Sequence, residues 1–180
     1  MIRILKKDSN ISPHEFLERE RNSLYVILDN LRSAYNVGAI FRTCDAFLVE
    51  KLILCGITAH PPNKKLKKTA MSSELYVPWE YARETIDVVL SLKEKGIRVF
   101  SCERTEKSKS LKEIQFTEPC GFVFGNEAEG VSERVLEVSD EIIEIPMMGF
   151  KNSLNVATTV GIVLYEIVSR ERKDKGCHSE

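Results

Sequence analysis

The chain lacks most of what would place it outside the ordinary class of folded domains. No stretch of its 180 residues approaches the roughly 20 apolar residues of a membrane-crossing helix, and Met1 to Asp8 hold no apolar run of signal-peptide length. A cytoplasmic protein is expected. The five cysteines, Cys44, Cys55, Cys102, Cys120 and Cys177, stand singly, with no Cys-x-x-Cys pair and no histidine at ligand spacing. That pattern argues against disulfides and against a metal centre. Nine glycines and six prolines form no low-complexity tract, so nothing suggests disorder or a linker between domains. Charge is also balanced, 26 Lys and Arg against 27 Asp and Glu, so the bulk electrostatics of a nucleic-acid binder are missing. Absent too are Gly-x-Gly-x-x-Gly and the phosphate-loop Gly-Lys-Ser/Thr, which excludes the commonest nucleotide-binding readings.

What is present is an alternation of short apolar, β-branched runs with helical patterns. Strands are predicted over 24–28, 51–55, 97–102, 121–124 and 141–145, with a short one over 75–77. Their near-continuous hydrophobicity implies burial on both faces of a largely parallel sheet flanked by helices, an α/β domain. Helices are predicted over 37–46, 81–95, 132–138 and 154–172. A shorter one is predicted over 13–21, where Ser12-Pro13-His14-Glu15 has the pattern of a capping box. The long last helix carries one stripe at Leu154, Ala157, Val160, Leu164, Ile167 and Val168 and a second apolar flank at Val156 and Val163. A stripe so wide fits either a deeply buried helix or one shared with a second subunit. One domain is expected over 24–173, with a short extension over 1–23 and a flexible tail over 174–180.

Three segments carry polar residues where chemistry is expected. The first, Asp29 to Thr43, leaves the end of the first strand and enters a helix, the region where parallel sheets gather their ligands. Asn36 suits a helix N-cap there, and Arg42 lies between Ile40-Phe41 and Cys44, so either a buried ion pair or an anion contact would explain it. The second segment, Gly121 to Ser132, runs from a strand into a turn with glycine at both ends, which lets backbone approach a ligand. The third, Ile145 to Ala157, is an apolar, Met-rich loop ending in Ser153 and Asn155, able to wrap a flat ring or simply to cap the helix that follows. Two lysine- and arginine-rich runs, Lys64-Lys65-Leu66-Lys67-Lys68 and Arg170 with Arg172, Lys173 and Lys175, fit RNA contacts or a solvated surface equally.

In this order and spacing the three segments resemble the SpoU (TrmH-type) branch of the SPOUT methyltransferases. Asn36…Gly38…Arg42 is similar to that family's first motif, Gly125-Asn126-Glu127…Gly130 to its second, and Ile145-Pro146-Met147…Ser153-Leu154-Asn155-Val156 to its third. The resemblance implies a C-terminal trefoil knot, a homodimer with the active site near the subunit interface, and S-adenosyl-L-methionine as methyl donor to a ribose 2′-hydroxyl of tRNA or rRNA. By position it implies cofactor contacts at Cys102, Glu103, Gly125, Ile145, Met147 and Leu154. Arg42 is similar to the catalytic arginine, while Asn36, Glu127, Ser153 and Asn155 match residues that shape the site. Glu127 fits equally well as an anchor for knot-loop amides. Two other readings are weighed beside this one: a catalytically silent RNA-binding module of the same fold, and an unrelated Rossmann-type enzyme. The second would need a glycine-rich turn where Asp29-Asn30-Leu31-Arg32 stands.

Overall fold

The computed structural model describes residues 12–117 and 119–174. The chain enters through α1 (Pro13–Leu17), whose Ser12 and Glu15 form the reciprocal capping box, Ser12 N donating to Glu15 at 2.7 Å and Glu15 N to Ser12 Oγ at 3.2 Å. The helix stops at Leu17 and not at residue 21, because Arg21 turns away to donate to the carbonyls of Val49 and Tyr76. Then follow β1 (Asn22–Asp29), α2 (Ala34–Ala46), β2 (Val49–Cys55), α3 (Lys64–Ala70), β3 (Trp79–Ala82), α4 (Thr85–Glu94) and β4 (Arg98–Cys102). The second half holds β5 (Lys109–Ser110), β6 (Cys120–Phe124), α5 (Glu133–Val138), β7 (Glu141–Glu144) and α6 (Val156–Asp174).

The seven strands lie in the order β3-β2-β1-β6-β4-β7-β5, and every pairing is parallel. Side chains alternate across such a sheet, and the two faces are correspondingly distinct. Leu24, Val26 and Leu28 of β1 join Leu52, Leu54, Phe122 and Phe124 beneath α2, α3 and α6. Ile27, Ile53, Val99 and Val123 point the other way, under α4 and α5. Asp29, at the end of β1 and almost fully buried, accepts from Thr85 Oγ1 at 2.5 Å and from Ser132 N at 2.9 Å. One carboxylate so pins the starts of α4 and α5 to the central strand.

Several boundaries differ from the expectations. Residues 75–77 are not a strand. Met71 and Ser72 adopt left-handed backbone, Ser73–Leu75 close a 3₁₀ turn, and the edge strand begins after Pro78, whose carbonyl accepts from Leu52 N at 2.9 Å. Tyr81 and Ala82 pair with Leu54 and Cys55, so the helix expected from residue 81 starts at Thr85. The basic run Lys64–Lys68, which fits RNA contacts or a solvated surface equally in the sequence, lies in a helix, Lys64–Ala70, capped by Asn63 Oδ1 accepting from Lys65 N and Leu66 N.

The last helix starts two residues later than expected, leaving Leu154 in the loop before it; Val160, Leu164, Ile167 and Val168 of the expected stripe are buried, and the buried face extends to the flank at Val156 and Val163. At 3.6 residues per turn Val156, Val160, Val163, Leu164 and Ile167 fall within about 100° of arc, and all five are buried in this chain's own core. Val156 and Val163 are therefore no spare flank. The outward face carries Ile162 and Tyr165 instead. Among the described residues no helix is long and apolar enough to cross a membrane.

The α2–α3 contact closes at Gly38, where a Cβ would collide with Thr69 Oγ1 and the Leu66 carbonyl. Thr69 Oγ1 also donates to Tyr35 O at 2.8 Å, so the two helices are stitched where they touch. Gly38→Ala should therefore lower stability by about 1–3 kcal/mol, the cost of overpacking, although alanine ordinarily favours a helix interior by about 1 kcal/mol over glycine. A rise in the urea midpoint would show that the helices part without cost.

Candidate active site

All the site segments emerge at the carboxyl ends of the parallel strands, where the loops after β1 and β2 each begin on a residue in left-handed backbone, Asn30 and Gly56. Asn30 Oδ1 accepts from Ile57 N at 3.1 Å, joining the loops after β1 and β2. The helix cap expected of Asn36 belongs to Ser33, whose Oγ accepts from Asn36 N at 3.3 Å. This frees the Asn36 side chain. Its Nδ2 donates to Glu127 Oε1 at 2.9 Å, and its Oδ1 accepts from Asn155 Nδ2 at 3.2 Å.

Glu127 gathers more than that one bond. Its Oε2 accepts from Arg32 N at 2.8 Å and its Oε1 from Ser33 N at 3.1 Å, so its anchoring partners are amides of the loop after β1. Asn155 in turn accepts from Ala157 N at 2.9 Å and caps α6. The three sequence segments are thus joined through Glu127, Asn36 and Asn155, residues as much as 119 positions apart in the chain.

The turn after β6 is built with equal economy of groups. Asn126 exchanges backbone hydrogen bonds with Gly130 at 2.9 and 2.8 Å, accepts on Oδ1 from Ala128 N, and donates from Nδ2 to Asn30 O at 2.7 Å. A Cβ on Gly125 would run into the Gly130–Val131 backbone, so glycine is needed there for the chain to fold back on itself. Glu103 closes the turn from β4, accepting from Val131 N at 3.0 Å. Asn126 had no assigned role in the sequence reading. Its signal was present, since an Asn beside glycine after a strand satisfies its own turn.

Between these loops lies a cleft of about 1180 Å³, more than the roughly 300–1,000 Å³ of a small-molecule site. Every expected cofactor residue, Cys102, Glu103, Gly125, Ile145, Met147 and Leu154, lines it, and so do Glu127, Ser153 and Asn155. Phe124, Leu111, Ile143 and Ile145 give it an apolar wall against which a flat heterocycle can lie. Its charged lining is mainly acidic, Glu103, Glu106, Glu129 and Glu144 beside Arg104, so the cleft favours a cationic guest and disfavours phosphate. Burial, followed by the Glu103 charge, pushes the Cys102 thiol well up, and it stays protonated as a packing group. Among the described residues no three His, Cys, Asp or Glu side chains are placed to hold a metal ion.

Arg42 is the exception to this convergence. It does not line the cleft, and the expectation that it sits as a charge in an apolar environment is wrong: its side chain is exposed on the outer face of α2. The apolar neighbours that suggested burial, Phe41 and Cys44, point to the core on the opposite face of that helix. Six residues separate it from Asn36, about 9 Å along the helix axis. Arg170, counted among the basic run, is also committed elsewhere. It donates to Ile114 O and Leu111 O and pairs with Glu166 at 2.6 Å, clamping α6 to the segment before β6. Lys175, with the rest of 175–180, lies outside the described residues.

An all-parallel α/β sheet with a cleft built from three carboxyl-end loops defines an α/β domain with a small-molecule-sized site at the ends of its strands. The chain belongs to the SpoU rRNA Methylase family, which it matches over residues 23–165. It is 35% identical over 168 residues to a tRNA (guanosine(18)-2′-O)-methyltransferase of Aquifex aeolicus, covering 92% of this chain and 77% of that one. The crystal structure of the A. aeolicus TrmH/SpoU tRNA modifying enzyme superposes with a TM-score of 0.78 at 34% identity, over 91% of this chain and 82% of the other. An AdoMet-bound rRNA methyltransferase from Sinorhizobium meliloti gives a TM-score of 0.77 at 26% identity, over 86% and 60% of the two chains.

The Glu127 carboxyl titrates in a way that exposes its role. Burial by itself raises its pKa, but hydrogen bonds from Arg32 N, Asn36 Nδ2, its own amide and Ser33 N outweigh that and hold it below its ordinary value of 4.5. A carboxyl depressed on folding stabilises the folded state above its unfolded pKa and loses that contribution as pH falls through the folded value. Glu127→Gln should therefore be less stable than the parent at pH 7, with the difference shrinking below about pH 4.5 as the parent protonates. Unfolding midpoints measured from pH 7 to 3 test this, and a gap independent of pH would make the carboxylate charge irrelevant.

Proposed function

We propose that this chain transfers a methyl group from S-adenosyl-L-methionine to a ribose 2′-hydroxyl of tRNA or rRNA. The observation that carries the reading is the Glu127–Asn36–Asn155 network, which brings all three segments of the family to one cleft with the apolar wall and acidic rim that an adenosine bearing a sulfonium needs. Bound there, the cofactor supplies an electrophilic methyl carbon to the entering 2′-oxygen. The protein's own work is positional: an in-line displacement needs its atoms aligned at near-attack distance, and the network fixes the loops that set this alignment. A catalytically silent module is disfavoured because the relatives this chain resembles are named as 2′-O-methyltransferases.

Arg104 is the one basic side chain in a lining that is otherwise acidic, so the oxygen that becomes negative as its proton leaves for phosphate or water needs a further cation. Arg42 meets that need, its guanidinium stabilising the developing alkoxide and clamping a neighbouring phosphate. A guanidinium is a fixed cation, so it acts as a field and not as a base. Because Arg42 lies outside the cleft of its own chain, it serves the site across a homodimer interface. Support for that interface comes from the outward apolar groups Leu154, Ile162 and Tyr165, at 39, 37 and 63% exposure, and Tyr35 on α2 at 45%. The threading of the loops after β6 and β7 is read as a trefoil knot; β6 between β1 and β4, with α6 returning to pack on α2, supports it.

Arg42→Lys keeps the charge but loses the planar fork. Both it and Arg42→Ala should lower single-turnover transfer of labelled methyl to total small RNA by at least about 100-fold, roughly 2.7 kcal/mol of transition-state stabilisation, with cofactor affinity nearly unchanged. Near-normal turnover of Arg42→Lys would remove the bidentate role. Loss of cofactor binding together with a much lower unfolding transition would make Arg42 structural.

A further inference from the structure

The far edge of the sheet holds a group of rings that the methyl-transfer site does not use. His60, in the loop after β2, lies nearly parallel to Trp79 at 6.2 Å between centroids and 20° between planes, and 5.1 Å from Tyr81. Trp79 and Tyr81 are alternate residues of β3 and so share one face of the outermost strand. Trp79 packs on the core beneath α3, but His60 is exposed and Tyr81 is 48% exposed. A cluster serving only to seal the edge would be covered by its neighbours. Here two rings present surface to solvent.

Directly after His60 the chain enters α3, whose Leu66 and Ala70 face the core while Lys64, Lys65, Lys67 and Lys68 are all exposed. Among the described residues none of the four side chains forms an ion pair or hydrogen bond. Lys67 and Lys68 stand in the last turn, where the helix dipole favours cations, so helix stability alone explains them. Lys64 and Lys65 stand in the first turn, at the positive end, where cations are disfavoured. A chain of net charge −1 thus concentrates four unpaired cations on two turns of one helix, two of them against the helix's own preference.

We propose that this edge is a docking surface for an unpaired stretch of the substrate RNA, whose bases stack on Tyr81 and His60 while its phosphates meet the α3 lysines. The inference rests on the RNA methyltransferase reading and adds where the RNA is held. Stacked rings beside a cationic track are the arrangement that binds single strands with little regard to base identity. The loop that carries His60 leaves the same end of the sheet as the cleft and is joined to the cleft loops through Asn30 and Ile57. From β6 to β3 is three strand spacings, about 14 Å, so one RNA can occupy both places. It also answers the electrostatics of the cleft, which is acidic and cannot itself attract phosphate.

The test is fluorescence anisotropy of the full chain with a labelled, unstructured ten-nucleotide RNA, read beside the emission of Trp79, the chain's one tryptophan. Trp79 itself is left intact because the core leans on it. Tyr81→Leu and His60→Ala should each weaken binding by about tenfold, whereas Tyr81→Phe, which keeps the ring, should bind as the parent does. Replacing lysines of α3 by glutamine should flatten the dependence of log affinity on log salt by about 0.7 for each lysine removed. S-adenosylmethionine affinity, which this edge does not touch, reports that each variant is folded. Unchanged RNA affinity in Tyr81→Leu and His60→Ala, with an unchanged salt slope in the lysine variants, would overturn the docking surface even if methyl transfer proceeds. An equal loss for duplex and single strand from the lysine variants, with none from the ring variants, would overturn the stacking role and leave charge alone. If instead RNA binding depends on these residues but no RNA is ever methylated, the surface stands and the methyltransferase reading falls.

Discussion

One carboxylate holds the site together. Glu127 is the point at which the turn after β6 meets the loop after β1, through two backbone amides and the Asn36 amide, and Asn36 passes the connection on to Asn155 at the start of α6. Loops are the mobile part of most domains, and a cleft made from three of them would have no fixed shape without such a tie. Hydrogen bonds to a charged acceptor are about twice as strong as neutral ones, which suits a group exposed enough that burial cannot fix it in place. Asn126 and Glu103 perform the same service within the turn, so that its backbone is specified by side chains on both sides.

This arrangement separates two tasks that one surface could not perform. The cleft has one apolar wall and an acidic lining, and suits a cation attached to a flat ring. The exposed cations Arg42 on α2 and the lysines of α3 lie outside it, where the proposals above place the polyanionic RNA. Balanced total charge conceals this division. Composition alone hid the local lysine cluster because 27 acids spread along the chain cancel 26 bases in the total.

The parallel sheet was legible in the sequence because both of its faces are buried, and continuous β-branched runs at 24–28, 51–55 and 121–124 have no other stable use. That the three segments belong together came from their resemblance to a family, and only parts of them answer local needs: glycine at 125 where a Cβ cannot fit, asparagine at 126 where a turn must satisfy itself. What failed were the inferences that depended on direction. Arg42 looked buried because its sequence neighbours are, yet in a helix adjacent residues point about 100° apart. Val156 and Val163 looked like a second flank because the stripe was drawn from Leu154, which lies before the helix begins, and the buried arc is shifted towards them. The strand at Trp79–Ala82 was missed because four residues that are half exposed carry no hydrophobic pattern, and the lysine-rich helix because its only buried groups are Leu66 and Ala70.

The central claim is that Glu127 and Asn155 act as one unit on the cofactor cleft, although they come from different segments. Its most direct test is a double-mutant cycle, in which S-adenosylmethionine affinity is measured for Glu127→Gln, Asn155→Ala and the two combined. Residues joined in one network are strongly non-additive, so the double variant should lose little more affinity than the worse of the single ones. Losses that simply add would mean that the two residues act separately, and would contradict the account of the cleft as a single tied structure.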